Sequence, residues 1–120
     1  GSTTVLYSDG TNITGKLQTK GYYTPSATYT TVNGDQVLID TSGGGIGTPI
    51  TINLPASPAI GNEVHFIDSG NNLASNNLTI GRNSSKILGG TSDLVVSANG
   101  SAFTLVYVNA TLGWVYKDKI

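Results

Sequence analysis

Apolar and polar residues alternate in short runs along the chain, and no stretch keeps apolar residues three and four apart as a helix would. Runs rich in Val, Ile, Thr and Tyr predict strands at TVLYS (4 to 8), TYTTV (28 to 32), QVLID (36 to 40), PITINL (49 to 54), EVHFID (63 to 68), NLTIG (77 to 81), DLVVS (93 to 97), FTLVYV (103 to 108) and GWVYK (113 to 117). Short strands at this spacing predict an all-β fold, an antiparallel β-sandwich of jelly-roll-like form. The dipeptides Asp9-Gly10, Asn33-Gly34 and Asn99-Gly100 tolerate positive φ and predict hairpins, which would pair 28 to 32 with 36 to 40 and 93 to 97 with 103 to 108.

The alternation also assigns faces. In PITINL, Ile50, Ile52 and Leu54 point to one side and Thr51 and Asn53 to the other, as in a strand with one buried and one wet face. FTLVYV is apolar on both sides, so it is central in a sandwich or buries its second face against another subunit. Trp114, directly after Gly113 in a hairpin with FTLVYV, is expected to pack across the sheet. Periodicity is weak before residue 28, which divides the chain into an extended arm or connector at 1 to 27 and a β-sandwich domain at 28 to 120.

Composition narrows the function. With 120 residues the chain is one domain long. Six Lys and Arg against seven Asp and Glu give a net charge of -1, which steers neither nucleic acid nor anionic membranes. Hydrophobic residues at 38% are too many for a disordered tract, and the polar remainder is mostly uncharged. The absence of cysteine excludes disulfides, thiolate metal sites and thiol nucleophiles. No apolar run approaches the roughly 20 residues that span a bilayer, and membrane insertion is not expected. The Gly1-Ser2 start and the lack of methionine read as a piece excised or processed from a longer protein.

Candidate chemistry is sparse. The run Gly43-Gly44-Gly45-Ile46-Gly47 lacks the Gly-Lys-Ser/Thr ending and following helix of a phosphate loop, and reads as a flexible connection. Glu63 and His65 share one strand face and so could share a proton or a metal. Metal sites need three or four ligands, so His65 becomes a candidate only if three copies converge on a threefold axis. The aspartates sit at turns and strand ends, and no carboxylate pair or serine triad is set up. No catalytic residue, enzymatic activity or cofactor is therefore expected. The better binding signal is the set of side chains Tyr22, Tyr23, Tyr29, Asn71, Asn72, Tyr107, Trp114 and Tyr116, which suit either sugar stacking or a subunit interface.

The order of motifs carries a resemblance. An Asp-Thr-Ser-Gly turn at 40 to 43 is followed by Leu-Pro-Ala-Ser-Pro-x-x-Gly at 54 to 61 and a strand ending in Asp68. Asn-Leu-Thr-Ile, Arg82-Asn83, a Lys-Ile-x-Gly turn at 86 to 89, Leu-Val-Tyr-Val and a closing Gly-Trp complete the series. Over roughly residues 29 to 120 the chain resembles a C-terminal β-module that recurs in tailed-bacteriophage virion proteins, chiefly tail fibres and other projecting appendages. The resemblance implies a homotrimer located in the virion, whose partners are its own copies and a host surface polysaccharide or receptor. A capsid decoration protein gripping coat protein through residues 1 to 27 is the alternative, and a monomeric carbohydrate-binding module the second. In the tip reading, the loops at 69 to 77 and 109 to 113 would meet the sugar.

Overall fold

Every predicted strand that falls within residues 21 to 118, the part of the chain described by the computed structural model, is present. The strand expected at 4 to 8 lies outside the described residues, as does the Asp9-Gly10 turn. The described elements are β1 (Tyr22–Tyr23), β2 (Tyr29–Thr30), β3 (Gln36–Ile39), β4 (Ile50–Asn53), β5 (Glu63–Asp68), β6 (Leu78–Gly81), β7 (Leu94–Val96), β8 (Ala102–Asn109) and β9 (Gly113–Tyr116), with no helix among them. Two residues of the expected arm belong to the sheets, because β1 pairs with β3.

The strands form two mixed sheets, ordered β1-β3-β5-β8-β9 and β2-β4-β6-β7. From β1 to β6 consecutive strands alternate between the sheets, and each of β1 to β4 pairs in parallel with the strand two places on. The chain therefore winds, and each coil lays one strand on each sheet. Tyr22, Gln36 and His65 lie in one rung, and Tyr29, Ile52 and Ile80 in the other. Only β6–β7, β5–β8 and β8–β9 are antiparallel, which corrects the expectation of an antiparallel fold.

Both Asn-Gly hairpins are corrected for the same reason. Gly34 and Gly100 do take positive φ, and Asp35 N to Val32 O and Ser101 N to Ala98 O close the two turns, but each turn also sends hydrogen bonds sideways to a neighbouring coil. At the first, Gly34 N donates to Glu63 O (2.7 Å) and Glu63 N to Asn33 Oδ1 (2.8 Å), so β3 is placed beside β5. At the second, Gly100 N donates to Asp68 Oδ2 (2.9 Å) and Ala74 N to Asn99 Oδ1 (2.8 Å). These turns join strands of different sheets. The glycine run and the Pro55–Pro58 segment also redirect the chain between sheets, as their turn chemistry suggests. The glycine run is not a loose connection, since Gly45 N donates to Ser42 O and Ile46 N to Asp40 O.

One core lies between the sheets. Val37, Ile39, Val64, Phe66, Leu105 and Trp114 come from the first sheet, and Ile50, Ile52, Leu78 and Ile80 from the second. Burying each such side chain contributes roughly 1.5–3 kcal/mol, against about 0–1 kcal/mol for the exposed Glu63–Lys117 ion pair at 3.2 Å. Apolar burial therefore carries the fold. Trp114 is fully buried, as expected, with its ring centroid 5.7 Å from that of Tyr107. Its indole N–H has no hydrogen-bond partner among the described residues, a cost of about 1–3 kcal/mol that is smaller than the roughly 3–5 kcal/mol carried by a buried Trp ring.

Two polar devices hold the turns onto this core. The Asp68 carboxylate, 7% exposed, accepts from the backbone N–H groups of Asn72, Leu73 and Gly100, tying two loops to the end of β5. At the start of β9, Gly113 adopts φ +71°, and the Lys86 carbonyl oxygen sits where a Cβ would be. That oxygen accepts from Trp114 N at 2.8 Å, and Leu88 N donates to Trp114 O at 2.8 Å, so the 86 to 90 turn is stitched to β9.

Candidate functional site

The expected binding residues fall into three places and do not converge. Tyr22 and Tyr23, at the sheet edge on β1, are 60% and 46% exposed. The Tyr23 ring lies 4.6 Å from that of Tyr29 at 48°, and the Tyr29 hydroxyl donates to Asp35 Oδ2 at 2.7 Å. The same carboxylate oxygen accepts from Val32 N at 2.9 Å, so Tyr29 braces the Asn33-Gly34 turn.

The bond to Asp35, helped by partial burial and the nearby charge, pushes the Tyr29 phenol up to about 12. A pKa raised in the folded state means that the bond stabilises fully below about pH 10 and is lost as pH climbs towards 12. Tyr29→Phe is thus expected to cost about 1 kcal/mol at neutral pH. In urea titrations at a series of pH values, the gap between wild type and variant should close over that alkaline window. A gap that stays constant would refute the linkage.

Asn71 and Asn72 lie in the loop after β5, where polar groups serve the fold. Asn71 adopts φ 51°. Asn72 N donates to Asp68 and its Nδ2 to Thr41 O (3.1 Å); Asn76 Nδ2 also reaches Thr41 O (2.9 Å), and Asn77 Nδ2 reaches Leu73 O (2.6 Å). The loop at 69 to 77 therefore spends most of its amides on backbone carbonyls, two of them on Thr41 of the preceding coil and one on its own Leu73. In the other loop proposed for sugar, Asn109 Oδ1 accepts from Leu112 N at 2.7 Å. Trp114 is a core residue with no surface to offer a ligand, and Tyr107 packs against it.

Glu63 and His65 do share the outward face of β5, but each has its own partner. Glu63 Oε1 is 3.2 Å from Lys117 Nζ, and His65 Nδ1 lies 2.5 Å from Thr104 Oγ1 on β8. Among the described residues there is no cluster of three or more metal-ligating side chains. Gln36 stands beside His65 on the same rung, and the rungs on either side carry apolar residues. Leu38 sits beside Ile67, Ile67 beside Ala102, and Val106 beside Val115, and all but Ala102 are half-buried.

The third place combines Tyr116 with residues that the sequence reading passed over. A row of rings crosses the first sheet from core to edge. Phe66 is buried, Phe103 stacks on it at 5.4 Å and 28°, and Tyr116 meets Phe103 edge-on at 5.7 Å and 84°. The second sheet ends at β7, and the turn that reaches across to β9 touches it at Trp114. At the Tyr116 end of the β8–β9 ladder, which Lys117 N closes by donating to Thr104 O, there is a cleft of 390 Å³. It is lined by Ala102, Phe103, Thr104, Tyr116 and Asp118. A smaller cavity of 260 Å³ lies beside Pro25, Asp40 and Gly45. There the Asp40 carboxyl is held below its usual range by hydrogen bonds from the Ser42 hydroxyl and backbone.

No protein-family model and no curated protein matches the sequence.

Proposed function

We propose that the chain is a structural module of a bacteriophage virion, the distal domain of a trimeric tail fibre or similar appendage that attaches the particle to its host, with each subunit's two sheets packed as a β-sandwich. The observation that supports this reading best is the apolar share of the outer face of the five-stranded sheet. Leu38, Ile67, Val106 and Val115 point away from the subunit's own core on four adjacent strands. A sheet with one wet face alternates apolar with polar residues, and here the outer face carries apolar rungs, Leu38–Ile67–Ala102 and Val106–Val115, on either side of the polar rung Gln36–His65–Thr104. Threefold association would cover it. The order of sequence motifs and the uncharged polar coat support the same assignment.

The test is the solution mass by light scattering, with sedimentation over a range of concentrations. A stable species at three times 12.4 kDa is expected, and Ile67→Asp, between Leu38 and Ala102 on that face, should convert it to monomer. A stable wild-type monomer would defeat the trimeric appendage and favour a monomeric carbohydrate-binding module.

A further inference from the structure

We infer that the cleft between β8 and the end of β9 is a binding site for a neutral pyranose unit of a glycan. The inference refines the attachment role proposed above and rests on it for the source of the sugar, but the cleft itself is argued from its own walls. Phe103 and Tyr116 meet at 84° and form a corner of one ring face and one ring edge. Asp118 lines the same cavity and supplies a carboxylate, and Thr104 lines it too, its hydroxyl held against His65 Nδ1. A pyranose has this mixed character, with an apolar C–H face and a rim of hydroxyl donors and acceptors. The volume of 390 Å³ lies within the range of about 300–1,000 Å³ usual for small-ligand sites.

Competing ligand chemistries fit less well. A flat nucleobase stacks between parallel walls, whereas these rings stand nearly perpendicular. A phosphate or an acidic sugar would meet the Asp118 carboxylate, and the neighbouring Lys117 ammonium is paired with Glu63. The fold explains why the cleft is there. The five-stranded sheet extends one strand past the four-stranded one, and the 86 to 90 turn covers the extra strand at Trp114 but not at Tyr116.

The experiment is an amide chemical-shift titration of the full 120-residue chain with maltohexaose, cellohexaose, mannohexaose and chitohexaose. Saturable shifts at residues 102 to 104 and 116 to 118 are expected with at least one of them, with a dissociation constant of about 1 mM or tighter. Tyr116→Ala should weaken that binding about tenfold or more. Because Tyr116 also packs on Phe103, Asp118→Asn is the second variant; it alters an exposed side chain and should weaken binding without changing the remaining spectrum. Absence of shifts at these residues with all four sugars would overturn the site, as would unchanged binding by both variants. The solution mass separates the two readings, since a trimer that ignores all four sugars loses the cleft and keeps the appendage. Adhesion to sugar-bearing cells lost in Tyr116→Ala would identify the source as a surface glycan, while binding of the soluble hexasaccharides with adhesion unchanged would leave a site for free oligosaccharide.

Discussion

Asp68→Ala is expected to lower the melting temperature by about 12–16 °C, a loss of roughly 3–4 kcal/mol. The carboxylate is almost wholly buried and accepts from three backbone N–H groups on two separate loops. Removing it leaves those donors without a partner at the place where the chain passes from β5 into the winding of β6. Unsatisfied buried donors cost about 1–3 kcal/mol each, and the more exposed of them recover part of this from water. Asp68→Asn should recover part of the loss, because all three donors meet Oδ2 and an amide oxygen placed there still accepts, though without the negative charge. The comparison is Asp40→Ala, which removes a similar strand-end carboxylate whose hydrogen bonds stay within Ser42 and which should shift the melting temperature far less. Equal melting shifts for the two alanine variants would show that Asp68 does not clamp the loops.

Gly113→Ala should cost about 3 kcal/mol. Roughly 1–2 kcal/mol comes from forcing a side chain to positive φ, and the rest from displacing the Lys86 carbonyl and its bond to Trp114. Gly61 provides the control, with φ +92° but no atom within 4 Å of the added Cβ, so Gly61→Ala should show the conformational cost alone. Denaturant titrations of both variants give the difference directly. If the two lose the same stability, the close approach of the 86 to 90 turn to β9 is not a constraint on the fold.

The strands were legible because period-two alternation is a local property, and burial follows the sequence pattern residue by residue in Ile50–Asn53 and from Glu63 to Phe66, whereas the outward Ile67 and the buried Asp68 invert it. Their pairing was not legible. An Asn-Gly turn reports a tight reversal of the backbone but says nothing about where its hydrogen bonds go. At Asn33 the deciding acceptor and donor are on Glu63, 30 residues away. The site was partly legible for the same reason. Tyr116 stands out in the sequence as an aromatic near the end of a strand, whereas Phe103 reads as one more apolar position in FTLVYV, and Asp118 as a tail residue. Only the extra strand of one sheet over the other brings them to one cleft. Trp114, by contrast, had a clear local signal for packing, and the buried ring leaves it no part in ligand contact.

The winding also gives the molecule a mechanical direction. β1 and β2, only two residues long, lie at one edge of their respective sheets, and each is held by a single neighbour. Load entering from the residue 21 side would reach these first, then β3 and β4, so the chain would yield one coil at a time. The two antiparallel strands β8 and β9 lie at the opposite edge and would be reached last. Such a sequence of small ruptures lengthens the chain in steps before the aromatic corner at Phe103 and Tyr116 is disturbed, so a contact made there would outlast a sudden pull that a single all-or-none unfolding would not survive.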